Sequence, residues 1–282
     1  MQSTAEYDGL KKWTSSPGPL DSLELWQSLL REAPSLIMQR ERIPAEVSFK
    51  SALSSLTDEP IALALEFPFS RLPACYHPAQ PMAQQAVRNY LDSLFAEMKL
   101  VCDCLKQPLT LSHLFWLGDP VAWLSKAELT EVMYRTSRCF KINGANLSYA
   151  VVDMEKPLVE EGLYALLRGL GFTHLLLDTK EWQLAANAPE SQMLQQYWSH
   201  LGLQPITTEQ FQLQGLPAPA ANDSVENGHA GNNIPDRMLG LGAGAWSLLG
   251  RHMAHNASQL DLYYQRIAED RLPVSETGVW KK

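Results

Sequence analysis

The sequence predicts an α/β protein built on a parallel sheet, either open or curled toward a barrel. From Ile61 onward, short apolar runs of strand length alternate with longer stretches of helical periodicity. Strand, helix, strand, helix in that order requires crossover connections, and these place successive strands parallel.

The strands are Ile61–Phe67, Ser112–Trp116, Leu147–Val152 and His174–Leu177. The first helix is Met82–Cys104, with Val87, Tyr90, Leu91, Leu94, Met98 and Val101 on one face. The second is Lys126–Phe140, with Leu129, Val132 and Met133 inward and a capping box from Ser125 and Glu128 at its start. The third is Leu158–Gly169, carrying Leu163, Leu166 and Leu167, and Gly169 and Gly171 end it. A helix over 191–203, a strand near Gln204–Leu213 and a final amphipathic helix at Leu260–Ile267 follow. Residues 215–236, rich in Pro, Ala, Asn, Asp and Gly, read as a flexible loop. Ahead of the sheet, residues 1–58 read as an amino-terminal extension with an amphipathic segment from Leu20 to Arg31, and 59–282 as the main domain.

Composition narrows the function. At 282 residues and 45% hydrophobic, the chain is long enough to bury a core of its own. A net charge of −8 with no basic cluster argues against nucleic acid or anionic lipid as the main partner. No run reaches the length of a membrane span and Met1–Leu10 lacks an apolar signal region, so a cytoplasmic location is expected. The four cysteines, Cys75, Cys102, Cys104 and Cys139, are too few and too unevenly spaced for a disulfide framework. Cys102 and Cys104 stand two apart on a helix and point roughly 200° from each other, so they do not clamp one metal.

Ligands of a parallel sheet bind at the carboxyl ends of its strands. Two loops fall there: Phe67–His77, and Leu117-Gly118-Asp119-Pro120 after the second strand. The run Gly240-x-Gly242-x-Gly244 has the look of a phosphate cradle, but Ser247 occupies the third Rossmann glycine position and no P-loop Lys-Ser follows. Such a run serves equally where backbones approach closely. No Ser-His-Asp set or carboxylate pair can be assembled from spacing alone.

Together these segments resemble the oxygen-independent coproporphyrinogen III oxidase (coproporphyrinogen dehydrogenase) family of radical S-adenosylmethionine enzymes. Trp13-Thr14-Ser15-Ser16-Pro17 is similar to an amino-terminal Tyr-Thr-Ser-Tyr-Pro of that family, and Ala64-Leu65-Glu66-Phe67-Pro68-Phe69-Ser70 to the Tyr-Val-His-Ile-Pro-Phe-Cys that opens its cluster loop. Asn89 through Glu97 resembles the helix after that loop. Ser112 through Val121 with Leu124-Ser125 resembles the strand carrying Gly-Gly-Gly-Thr-Pro, and Gly169 through Leu175 resembles Gly-Phe-x-Arg-Leu. Gly240 through Ala245, then His255-Asn256, Leu260, Tyr263, Tyr264 and Arg271-Leu272-Pro273-Val274, resembles the Gly-Leu-Gly-x-x-Ala and Gln-Asn segment nearly in register.

The resemblance implies an incomplete (β/α) barrel with a mostly parallel sheet, an N-terminal helical extension, and neither the later barrel strands nor the carboxyl-terminal domain. It also implies lost chemistry. The three cluster cysteines fall on Ser70, Ala74 and His77, with Cys75 out of frame, and the triple glycine on Leu117, Gly118 and Asp119. An acidic cofactor-holding position falls on Ala150, and an Arg-x-Ser-x-Gly-x-Gln stretch on His174, Leu176, Asp178 and Lys180. Without thiolates a cluster has no ligands, and without a cluster no electron reaches S-adenosylmethionine.

The expectation is therefore a pseudoenzyme with no cofactor and no catalytic residue, binding a tetrapyrrole (haem or porphyrin) or a protein of haem metabolism. Its binding positions would be Ser70, Ala74, Cys75, His77, Gly118, Asp119, Gly240, Gly242, Gly244, His255 and Asn256. Phe69, Trp116, Trp123, Trp246 and His252 would add aromatic and imidazole contacts. A shortened barrel also leaves edges that a protein partner or a second copy would cover. The alternatives are an active oxidoreductase with an atypical metal site using Cys75 and His77, and a purely structural subunit.

Overall fold

The structure, a computed structural model, describes residues 38–40, 43–71, 77–142, 149–154, 161–177, 203–205, 210–213 and 237–280. The expected segment Leu20–Arg31, all but the last residue of the helix expected over 191–203, and the loop at 215–236 lie outside them; that last residue, Leu203, begins a strand. Among the described residues no helix is long and apolar enough to cross a membrane.

Eleven strands form one sheet. In chain order they are β1 (Met38–Arg40), β2 (Ile61–Glu66), β3 (Leu111–Leu117), β4 (Tyr149–Met154), β5 (His174–Leu177), β6 (Leu203–Pro205), β7 (Gln210–Leu213), β8 (Arg237–Leu241), β9 (Trp246–Leu249), β10 (His252–Asn256) and β11 (Val274–Trp280). Their spatial order is β1-β11-β10-β9-β8-β2-β3-β4-β5-β7-β6. The centre, β8-β2-β3-β4-β5, is parallel throughout. Both flanks are antiparallel. The four expected strands are thus β2 to β5, with ends shifted by at most two residues. The strand expected near Gln204–Leu213 is instead an antiparallel pair, β6 and β7, running beside β5.

Among the described residues six helices accompany the sheet: α1 (Ala45–Ser54), α2 (Pro81–Cys104), α3 (Pro120–Trp123), α4 (Lys126–Cys139), α5 (Glu161–Gly169) and α6 (Leu260–Ala268). α4 begins with the expected capping box, Ser125 accepting from the Glu128 amide while the Glu128 carboxylate accepts from the Ser125 amide at 2.8 Å. α5 ends where Gly171 takes φ +94° and the Phe172 amide donates to Leu167 O at 3.0 Å. Part of the presumed extension belongs to the main fold. β1 pairs with β11, and Phe49, Ala52 and Leu53 of α1 are buried in the same core as the sheet.

The two faces of the sheet are packed differently. Leu63, Leu65, Leu114 and Trp116 face the helices and join the large core formed with α1, α2, α4, α5 and α6. On the opposite face, Ala62, Ala64, Phe115, Leu117 and Met238 form a smaller buried cluster of their own. This side assignment follows from strand alternation, with Ala62, Ala64 and Glu66 in register with His113, Phe115 and Leu117.

Candidate functional site

The carboxyl ends of β2 and β3 are tied together by backbone. The Phe67 amide donates to Leu117 O at 2.8 Å, and Gly118 turns at φ +86° directly against the Phe67 carbonyl. Any side chain at Gly118 would overlap Phe67 O, so this glycine is required for the close approach of two strand ends. Asp119 follows in the left-handed region, at φ 57°, and is buried at the start of α3. Aspartate tolerates that conformation better than most residues.

After β2 the chain makes a short 3-10 turn, Pro68–Arg71, which contains Ser70. Ala74 and Cys75 lie outside the described residues. His77 opens the approach to α2. Its amide donates to Gln80 Oε1 at 3.1 Å, its carbonyl accepts from the Gln80 amide at 2.8 Å, and its Nδ1 accepts from the Ala79 amide at 3.3 Å. The imidazole thus serves as a cap in the turn before the helix.

The aromatic residues near these ends occupy the core. Trp116 is fully buried on the helix side, edge-on to Phe172 with centroids 4.7 Å apart. Phe69 is buried against Tyr90 and Trp123, with centroids 5.5 and 5.7 Å away. Trp116 and Phe69 are spent on packing between sheet and helices, and Trp123 packs against the same core while staying half-buried. Trp246 and His255 are a cross-strand pair of β9 and β10, stacked at 4.1 Å and partly exposed, and His252 is exposed on β10.

The glycine run is built around a residue that sequence reading did not single out as a site, Glu97 of α2. The carboxylate is 1% exposed and accepts three hydrogen bonds. They come from the Gly242 amide at 2.8 Å, Tyr263 Oη at 2.7 Å and Asn256 Nδ2 at 2.6 Å. The same Asn256 nitrogen donates to Gly242 O at 2.9 Å. Beside it, Tyr90 Oη donates to Glu66 O at 2.5 Å and accepts from the Ala243 amide at 3.2 Å. Gly242 turns at φ +107° with Tyr90 Oη and the Glu66 carbonyl where a side chain would begin. Gly240 faces the Trp246 carbonyl in the same way. Gly244 donates its amide to Ala257 O at 3.0 Å.

The expected binding positions Gly240, Gly242 and Asn256 are therefore committed within the fold. The amides of the run are engaged within the fold: Gly240 donates to Ser247 Oγ at 3.0 Å, Gly242 to Glu97 and Gly244 to Ala257 O. Burial pushes the Glu97 carboxyl up to about 7, opposed by the bonds from Tyr263, Gly242 and Asn256. The sequence signal for Glu97 was its place on the apolar stripe, seven residues after Tyr90 and four before Val101. A charge there must be buried with partners.

The iron–sulfur cluster implied by the resemblance calls for three thiolates. The resemblance would place the hydroxyl of Ser70, the methyl of Ala74 and the imidazole of His77 at those positions, a donor set without sulfur.

No family model matches the sequence, and no curated protein matches it. Among solved structures, coproporphyrinogen III oxidase (HemN) from Escherichia coli, described as a radical SAM enzyme, is similar with a TM-score of 0.57 at 17% identity. The match covers 88% of this chain and 77% of that one. A parallel sheet centre with helices on one face, extending over most of both chains, gives this protein a mixed α/β fold like that of the coproporphyrinogen III oxidase.

Proposed function

We propose that this chain is a non-catalytic relative of that oxidase and acts by binding a tetrapyrrole. The observation that carries the reading is the side-chain set at the cluster positions, Ser70, Ala74 and His77, none of which supplies a thiolate. The glycine run agrees with it. Its amides stabilise the fold through Glu97 and Ala257 rather than remaining available to a cofactor. The choice of ligand rests on the solved neighbour, a coproporphyrinogen III oxidase. A tetrapyrrole is a large apolar disc with anionic edges, suited to aromatic and imidazole contacts. The stacked, partly exposed Trp246–His255 pair and exposed His252 and His77 offer such groups.

Titration with haem and with coproporphyrin tests this. Saturable shifts of the Soret band with tryptophan quenching are expected. No change with either ligand overturns the tetrapyrrole reading, and a stably co-purifying protein in its absence assigns the chain a protein partner instead.

A further inference from the structure

The interface between α2 and α4 begins with Arg88, which holds Glu131 at 2.7 Å, and Arg88 and Arg135 both lie over the Phe95 ring. At its far end it brings together Cys102, on the last turn of α2, and Cys139, the final residue of α4. The Cys102 thiol donates to Cys139 O at 3.7 Å, and the Cys139 thiol donates to Met98 O, one helical turn before Cys102, at 3.9 Å, so each thiol reaches the backbone beside the other cysteine. Both residues are half-buried, so small oxidants can reach them.

We propose that Cys102 and Cys139 form a reversible disulfide that staples α2 to α4, making this helix pair a site of oxidative modification. Two thiols that each reach the backbone beside the other come to bonding geometry by side-chain rotation and a small local shift, with both helices in place. Selectivity is built into α2. Cys104 sits two residues beyond Cys102, so it leaves the helix in a different direction and lies outside the pair. In a reducing compartment the dithiol is the resting form, and the disulfide forms on exposure to oxidant.

The chemistry divides naturally between the two sulfurs. The neighbouring Cys102 thiol, together with Arg135 and Arg138 on α4, holds Cys139 down to about 7 against its burial. The same contact and burial push Cys102 up, so Cys139 ionises the more readily of the two. With hydrogen peroxide as oxidant, the Cys139 thiolate attacks one oxygen and the O–O bond breaks. The released hydroxide takes up a proton as water, leaving a sulfenic acid. Cys102 then attacks that sulfur, its proton leaves with the departing hydroxyl as a second water, and the S–S bond forms. Two thiols and one peroxide give one disulfide and two waters.

The test treats the full chain with peroxide, digests it without reductant and maps linked peptides by mass spectrometry. The expected result is a peptide pair joined through Cys102 and Cys139, with two of the four thiols lost and both recovered by dithiothreitol. Cys104→Ser keeps the link. Cys102→Ser abolishes it and leaves Cys139 as a sulfenic or sulfinic acid. Because the mapping uses the unsubstituted protein, misfolding of a variant does not obscure it. A link through Cys104 or Cys75, or Cys102 and Cys139 both remaining unlinked after peroxide, overturns the proposal.

Discussion

Glu97 Oε2 accepts the Gly242 amide at 2.8 Å across 145 residues of sequence, and through it α2 holds the glycine-rich turn between β8 and β9. Three elements converge on that carboxylate: the turn through Gly242, β10 through Asn256 and α6 through Tyr263. This is a structural use of a sequence segment that reads like a cofactor cradle.

Removing the carboxylate strands its donors. Glu97→Ala leaves the Gly242 amide, Asn256 Nδ2 and Tyr263 Oη buried and unmatched at that point. The expected loss, read from denaturant unfolding, is at least about 3 kcal/mol. Glu97→Gln keeps the shape and one acceptor oxygen, so it should cost less. Equal losses would show that the network contributes little beyond volume.

The same group gives stability a pH dependence. The folded value of about 7 lies above the ordinary carboxyl value of 4.5, so the folded state binds the proton more tightly than the unfolded one. Its contribution is full below about 4.5 and is lost as pH rises through about 7, on the order of 3 kcal/mol in total. The check is unfolding free energy from pH 4 to 8, wild type minus Glu97→Gln. That difference should decline with rising pH, and a flat difference contradicts the assignment.

His113 produces the opposite slope. Burial lowers it to about 4, from the ordinary imidazole value of 6.5. Its contribution is present above about 6.5 and is lost as pH falls through about 4. His113→Asn should remove that acid-side decline, as seen in unfolding free energies over the same range. An unchanged acid limb would place the titration elsewhere.

Two glycines of the same strand system separate strain from collision. Gly250 has φ +66° with nothing nearby, so Gly250→Ala costs about 1 kcal/mol of backbone strain. Gly242→Ala adds a collision with Tyr90 Oη and with Glu66 O, 2.6 Å from the new atom. It should lower the thermal midpoint several times as much. Comparable shifts for the two variants would mean that the turn relaxes away from α2.

Much of the central fold was legible because its signals are local. Ile61–Glu66 is a continuous apolar run, Ser125 and Glu128 close a capping box, and Gly171 ends a helix. The antiparallel flank was not. β10 reads His-Met-Ala-His-Asn and β11 Val-Ser-Glu-Thr-Gly-Val-Trp, short and polar strands whose pairing depends on partners distant in sequence. Trp116 and Phe69 carry residue types suited to a ligand groove, and only strand register and neighbouring helices assign them to the core. For Glu97, spacing gave its place on the stripe but not the identity of its partners, which come from beyond residue 240.

The central claim, an oxidase-like fold without the oxidase's chemistry, is tested most directly by anaerobic reconstitution with iron and sulfide. The account predicts no visible thiolate-to-iron charge-transfer absorption and no retained cluster iron after desalting. A stable cluster that cleaves S-adenosylmethionine on reduction would contradict it.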